Sequence, residues 1–295
     1  MSTTFIRNAD VATSLQAQTR YKWLWNGSGQ RCEFRSFSGE MAVHSAVDKP
    51  RSPVDNKCFS TSLVTMRTGS FGGMLRALLP LDKNATPVNL EEFYAVPRRG
   101  ANGRPHVGLC MITSLDGSTS LDGTSGAMGS DTDRAVLRTL RAAADVIVVG
   151  ATTVNAEGYR APKKPGQRIG VVTRSCNLDF DSELFTSGAG FVITCESAPE
   201  VPVESLRKGR DALDLHRAIS ALDADFVQLE GGPTLNAAMF EADLVDEINL
   251  TIAPLLLGGS GARLVQEMNE QISRWQVAHL LEENGYFYTR YLRAQ

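Results

Sequence analysis

The sequence predicts a three-layer α/β/α domain over residues 105–295, with a mostly parallel central sheet and an antiparallel C-terminal edge. Two patterns predict it. Short all-apolar runs such as Val146-Ile147-Val148-Val149 alternate with segments of helical periodicity. Parallel crossovers lay helices over both faces of a sheet, so its strands are apolar throughout rather than alternating. The chain then closes on two strand-like runs joined across Glu283-Asn284-Gly285, a hairpin signature.

Taken in order, Val107 to Ile112 reads as the first strand, followed by a Ser114-Leu115-Asp116-Gly117 turn. Ser130-Asp131-Thr132-Asp133 caps a helix that runs to about Ala143 through Val136, Leu137 and Leu140. Val146 to Val149 is a strand ending at Gly150, and Thr152-Thr153-Val154 starts a short helical turn. Ile169 to Thr173 and Phe191 to Thr194 are further strands, and Leu213 to Ala221 is a helix. Asp225 to Leu229 is a buried strand, and the helix after Gly231-Gly232 has Pro233 in the favoured first position. Glu247 to Ala253 follows, then Trp275 to Leu281 and Tyr286 to Leu292.

The first 65 residues show neither a helical nor a strand period. Residues 1–73 are expected to be a disordered extension or one outside the native product, with translation starting at Met66 or Met74. Residues 74–104, with Leu75 to Leu79 and Leu90 to Tyr94 as amphipathic pieces, form a lead-in segment packing on the main domain.

Bulk properties exclude several function classes. Of the 295 residues, 42% are apolar, ordinary for a globular core. Residues 1–103 carry 13 Lys/Arg against 8 Asp/Glu, whereas residues 104–295 carry 17 against 25. An acidic domain is poorly suited to nucleic acid. No apolar run approaches the ~20 residues needed to cross a bilayer, and no secretory signal is visible. The five cysteines are scattered without a C-x-x-C, which points to reduced thiols and a cytoplasmic protein. The four histidines are isolated and add no metal constellation.

In a parallel sheet, ligands bind beyond the carboxyl ends of the strands. Four strand-end loops here are polar or glycine-bearing: Thr113 to Gly117, Gly150 to Glu157, Thr173-Arg174-Ser175, and Glu230-Gly231-Gly232-Pro233-Thr234. The last is the most informative. A Gly-Gly turn lets backbone N–H groups approach a ligand closely, and the helix start behind it adds unpaired donors and partial positive charge. That combination suits a dinucleotide pyrophosphate. Arg174-Ser175 after a strand suits a 2′-phosphate, which arginine pairs bidentately. Each loop also has a plain structural use, as a tight turn, a cap or a solvated charge. Neither a Ser/His/Asp set nor a P-loop is present, so a site of cradled phosphates and few acid–base groups points to hydride transfer by a cofactor.

Four motifs in order carry a family resemblance. They are Ser114-Leu115-Asp116-Gly117; Leu140-Arg141 with Ala144 to Gly150 and Thr153-Val154; Glu230 to Leu235; and Ile252 to Gly259. With these, Val107 to Tyr291 resembles the pyrimidine-reductase domain of riboflavin biosynthesis, the C-terminal half of the bifunctional deaminase–reductase, with a dihydrofolate-reductase-like fold. Asp122 to Met128 and Gly285 to Tyr291 are similar to its stand-alone actinobacterial-type branch.

The resemblance implies an NADPH-dependent reductase. Its expected substrate is 5-amino-6-(5-phosphoribosylamino)uracil, reduced at the ribosyl group to the ribityl product. It also implies a homodimer. It assigns NADPH to the backbone of Ile112 to Ser114, to Gly150, Thr153 and Glu157, and to Gly231, Gly232, Pro233, Thr234 and Leu235. Arg174 or Ser175 would meet the 2′-phosphate end. Ser125 and Arg141 match contacts to the substrate's 5-phosphate, and Glu230 matches a further substrate contact. Asp116 would lie beside the nicotinamide, and Glu157 falls where many members have an acid near cofactor and substrate. Two departures stand out. Glu157-Gly158-Tyr159-Arg160 replaces the usual Asp-Asp/Asn-Pro-x-Leu, and the second phosphate-binding arginine has only Arg160, Lys163, Lys164 and Arg168 nearby. Reduction of a dihydropterin and non-catalytic NADP binding are therefore the alternatives. The chain carries neither H-x-E nor P-C-x-x-C, so the resemblance extends to the reductase half alone.

Overall fold

The computed structural model describes residues 21–24, 33–36 and 88–294. Where the sequence predicts no element, β1 (Tyr21–Leu24) and β2 (Glu33–Ser36) form an antiparallel pair. The remainder of residues 1–73 and the piece Leu75 to Leu79 lie outside the described residues.

From residue 88 onward the strands are β3 (His106–Thr113), β4 (Val146–Gly150), β5 (Arg168–Val172), β6 (Gly190–Thr194), β7 (Ser205–Arg207), β8 (Phe226–Leu229), β9 (Glu247–Ile252), β10 (Trp275–Glu283) and β11 (Tyr286–Arg293). The helices are α1 (Leu90–Tyr94), α2 (Asp131–Ala143), α3 (Ala151–Glu157), α4 (Glu183–Thr186), α5 (Leu215–Ser220) and α6 (Pro233–Glu241). One nine-stranded sheet runs β10-β11-β9-β3-β8-β4-β5-β6-β7. The pairs from β9 through β7 are parallel, and β11 and β10 add the antiparallel edge. The predicted fold class is the observed one.

Strand alternation divides the core between the two faces. Val146 and Val148 of β4 point with Val107, Leu109, Val227 and Leu229 toward Ile219 of α5 and Leu235, Met239 and Phe240 of α6. Their neighbours Ile147 and Val149 point the other way, with Val171, against Val154 of α3 and Leu184 and Phe185 of α4. Beside them α2 buries Val136 and Leu140 against Tyr94, Phe226 and Tyr288. Each fully buried large apolar side chain contributes about 1.5–3 kcal/mol relative to exposure, so both faces hold the sheet.

Local signals explain most boundaries. The Ser130 hydroxyl accepts from the Asp133 N–H at 3.0 Å and starts α2 as its N-cap. Asp214 caps α5 in the same way, which begins that helix at Leu215 rather than at the predicted Leu213. The expected turn at Thr152–Val154 extends to two turns, ending at Glu157 because Gly158 takes a left-handed φ of 62°. The sequence does not predict α4 or β7, because elements of four and three residues leave no readable period.

The described part of the lead-in is fixed to the lower end of the sheet. Asn89 caps α1, and Tyr94 is buried. Arg98 forks onto Glu247 of β9, with Nε to Oε2 at 2.9 Å and Nη2 to Oε1 at 2.6 Å. Both side chains are almost wholly excluded from solvent.

Candidate active site

The carboxyl ends of β3, β8 and β4 lie side by side, because β8 pairs with both of the others. After β8 the chain turns through Gly231-Gly232 into α6, and after β4 it turns at Gly150 into α3. The two turns touch. Gly150 N donates to Gly231 O at 2.7 Å, and a Cβ on Gly232 would stand 2.8 Å from Thr153 Oγ1. Gly231 has φ +79° and comes close to Met111 Sδ, so a side chain there is excluded by both backbone and packing. Neither Gly150 nor Gly232 supplies a side-chain cap, which leaves the first N–H groups of both helices without partners within the helices. Pro233 has no N–H to offer; Thr234 is exposed, and Leu235 turns its side chain into the core. These residues fit a dinucleotide pyrophosphate: two adjacent sets of free amide donors with no Cβ between them.

Beside the start of α3 lies a groove of about 430 Å³ lined by Ala151, Thr152, Asn155, Ala156, Ser175 and Asn177. Ser175 thus lies beside the start of α3. Arg174 is exposed one residue earlier, near enough to help lower the Cys195 thiol, whose first cause of lowering is its hydrogen bond with Ser197.

The turn after β3 is a tight bracket. Ser114 Oγ donates to Asp116 Oδ1 at 2.6 Å, and Asp116 also accepts from Leu257 N at 3.1 Å and Gly258 N at 2.7 Å. Those donors, the Ser114 hydroxyl foremost, hold the Asp116 carboxyl well below the usual carboxylate range. Asp116 thereby holds the Thr113–Gly117 loop against the Leu255–Gly258 loop. Ile112 and Ser114 lie at the mouth of the strand with both side chains buried, and the Ser114 N–H donates to the Ser118 carbonyl at 2.8 Å.

Arg141 and Glu230, expected as separate substrate contacts, form one ion pair. Arg141 Nε donates to Glu230 Oε1 at 2.7 Å, and Nη2 donates to Oε2 at 2.6 Å. Gln228 Nε2 donates to Oε1 at 2.8 Å, and the Tyr159 hydroxyl donates to Oε2 at 2.5 Å. The Arg141 guanidinium also stands 5.3 Å from the centre of the Tyr159 ring. Burial pushes the Tyr159 phenol up, so it remains a donor. Glu230 therefore serves Arg141, and the guanidinium keeps Nη1 for another acceptor. Sequence reasoning assigned no role to Gln228 or Tyr159; the signal for Tyr159 was its place in the divergent segment.

Above this pair, Ser125 and Glu157 meet. The Ser125 N–H and hydroxyl both donate to Glu157 Oε1, at 2.7 and 2.9 Å. Glu157 Oε2 has no partner among the described residues. Of the nearby basic residues, Lys164 bonds the Ala144 carbonyl and Arg168 pairs with Glu204. Arg160 and Lys163 stay exposed. Among the described residues no His/Cys/Asp/Glu group is placed to hold a metal.

The model of the RibD C-terminal domain matches residues 105–283. The chain belongs to that family. The 2,5-diamino-6-ribosylamino-4(3H)-pyrimidinone 5′-phosphate reductase of Methanothermobacter thermautotrophicus is 33% identical over 179 residues, which cover 54% of this chain and 82% of that protein. The riboflavin biosynthesis protein RibD of Mycobacterium tuberculosis is 33% identical over 168 residues, and the match spans only 44% of it. Among solved structures, a pyrimidine reductase-like protein from Corynebacterium diphtheriae superimposes with a TM-score of 0.59 at 27% identity, covering 65% of this chain and 92% of that one. Every candidate site residue lies inside the matched RibD C-terminal segment.

Proposed function

We propose that this chain is an NADPH-dependent reductase of riboflavin biosynthesis, acting on the ribosyl group of a ribosylaminopyrimidine 5′-phosphate such as 5-amino-6-(5-phosphoribosylamino)uracil. One observation carries the reading: Glu230, which orients Arg141, directly precedes the Gly231-Gly232 turn. An anion site for a substrate phosphate and a cradle for a dinucleotide pyrophosphate are thereby adjacent at one end of the sheet. Relatives in the family are named as reductases of such a pyrimidine phosphate, in keeping with that pairing.

The nicotinamide would supply the hydride that reduces C1′ of the opened, imine form of the ribose. The chain's own groups do the rest. Arg141, fixed by Glu230, Gln228 and Tyr159, binds the 5-phosphate with its free Nη1 edge. Ser125 orients Glu157, and Glu157 Oε2 holds or relays the proton that the reduced substrate gains. Ser114 and Asp116 keep the loop at the mouth of β3 in one shape. Arg174 and Ser175 favour the 2′-phosphate of NADPH over the bare hydroxyl of NADH.

The same reading makes the protein cytoplasmic, in keeping with scattered thiols of no disulfide spacing. Among the described residues no helix is long and apolar enough to cross a membrane. It also makes the protein a homodimer, for which the outer strand β10 offers an unpaired edge with Val277 and Leu280 exposed. Mass spectrometry of the product tests the reaction. The ribosyl substrate should gain two hydrogens at the sugar with NADPH present; a product reduced in the ring, or none, contradicts it.

A further inference from the structure

The chain between β9 and β10 is pinned on both sides of one arginine. On one side, the Thr119 N–H and hydroxyl both donate to the Ala262 carbonyl, at 2.8 and 3.1 Å. A Cβ on Gly261 would overlap Ser118 Oγ, so this approach requires the missing side chain. On the other side, Asn236 Nδ2 of α6 donates to the Leu264 carbonyl at 2.8 Å, while the Asn236 N–H meets the Gly232 carbonyl at 2.9 Å. Asn236 Nδ2 also stands 3.6 Å from the place of a Cβ on Gly231, and the Gln266 N–H donates to the Pro233 carbonyl at 3.3 Å. Arg263, between Ala262 and Leu264, therefore has its backbone fixed where the loop after β3 meets the Gly-Gly turn.

The Arg263 side chain turns toward the β3 end. Nη1 donates to the Asp116 carbonyl at 2.7 Å, and Cδ stands 3.7 Å from the place of a Cβ on Gly117. Among the described residues Arg263 forms no ion pair and bonds this one acceptor, which leaves the rest of its N–H fork free and exposed. The loops it joins hold no cation. Thr113 to Gly117 and Gly231 to Leu235 contain neither Lys nor Arg, and Asp116 is a carboxylate. Glu230, just before the Gly-Gly turn, is already paired with Arg141. Amide donors and a helix start supply only partial charge, whereas a pyrophosphate linkage is doubly ionised and meets the field of Asp116 as well.

We propose that Arg263 is the counter-cation of the cofactor site, its free N–H groups meeting the pyrophosphate of a dinucleotide seated on the Gly231-Gly232 turn. The inference rests on the reading of that turn as a cofactor cradle and adds the full charge that the turn lacks. The amides align the phosphate, and the planar guanidinium pairs with its oxygens and offsets Asp116. The pyrophosphate is common to NADPH and NADH, so Arg263 raises the affinity for both and does not choose between them. The substrate's 5-phosphate has the same anion chemistry, and binding of dinucleotide alone separates the two.

The test measures Kd for NADPH and for NADH by fluorescence titration without substrate, using the full-length protein and its Arg263→Gln and Arg263→Lys variants. Glutamine keeps an N–H donor for the Asp116 carbonyl and removes the charge, whereas lysine keeps the charge. Arg263→Gln should weaken both dinucleotides by the same factor, about 10-fold, the loss expected of a hydrogen bond to a charged group. Arg263→Lys should recover most of that loss. The wild-type Kd should rise more steeply with salt than that of Arg263→Gln, because the variant lacks the charge pair that salt screens. Equal weakening in both variants with parallel salt dependence makes Arg263 a brace of the loop and overturns the proposal. Weakening of NADPH alone moves the charge to the 2′-phosphate and overturns it too. Unchanged affinity in Arg263→Gln does the same, including where KM for a phosphorylated substrate rises. Those results leave the reductase reading standing; a wild type that binds neither dinucleotide overturns both.

Discussion

Arg141 and Glu230 face each other in a two-point ion pair closed by hydrogen bonds of 2.7 and 2.6 Å, one partner on a helix and the other at a strand end. The glutamate side chain is only 4% exposed and the arginine 34%, so the pair lies at the bottom of an opening and not on the open surface. Tyr159 and Gln228 complete the glutamate's shell. The result is a guanidinium whose orientation is fixed from behind.

Arg141→Ala should therefore do two separable things. It strands a buried carboxylate, a loss of about 3–5 kcal/mol that thermal or urea unfolding would register. It should also raise KM for the phosphorylated substrate by about 10- to 100-fold, as expected when a hydrogen bond to a charged group is lost. Adding Glu230→Gln should recover much of the stability and none of the KM. Full recovery of both would remove Arg141 from the phosphate site.

Glu157→Gln keeps the shape of the side chain and removes its ability to carry a proton. The expected loss is about 10²–10⁴ in kcat, with little change in KM. Ser125→Ala, which removes one of two donors to Glu157 Oε1, should cost less. A glutamine variant with wild-type kcat would show that another group or water supplies the proton.

Gly232→Ala tests the cofactor cradle. Its φ of −73° suits any residue, so the cost is steric, arising where the new Cβ meets Thr153 Oγ1. Overpacking of this kind costs about 1–3 kcal/mol. NADPH should bind at least about 10-fold more weakly by fluorescence titration, because the turn is pushed away from the start of α3. Thr153→Ala in the same chain should restore stability by making room. Unchanged NADPH affinity in Gly232→Ala would argue against the turn as the pyrophosphate site.

Most strands of the nine-stranded sheet, the Gly-Gly turn and the order of the motifs were legible in the sequence, because apolar runs and Gly-Gly turns are local signals. What stayed hidden was pairing at a distance. Arg141 and Glu230 each read as a substrate contact, since nothing in a linear pattern reveals that one neutralises the other. Tyr159 looked like a departure and proved to be a donor to Glu230. The clasp on Asp116 stayed hidden too, because the amides that hold it come from Leu257 and Gly258, far along the chain. Likewise the fixing of the lead-in through Arg98 depends on Glu247, 149 residues further along the chain.

That last pair makes the stability depend on pH in one direction. Burial alone would raise the Glu247 carboxyl, but His106, Arg98 and Arg290 hold it well below the usual range. A depressed folded value contributes stability above the unfolded value of about 4.3, and the contribution is lost as pH falls through the folded value. Urea unfolding between about pH 7 and about pH 3 should therefore show stability declining at the acid end, and Glu247→Gln should flatten that decline while lowering stability at neutral pH. A variant that loses stability equally at both ends would place the acid sensitivity elsewhere.

The most direct measurement of the central claim is the rate of NADPH oxidation with a ribosylaminopyrimidine 5′-phosphate, set beside the same compound lacking its phosphate. Turnover of the phosphorylated compound with a far lower KM than the phosphate-free one is the predicted result. No oxidation, or equal use of both compounds, would contradict a reductase that holds its substrate by the phosphate at Arg141.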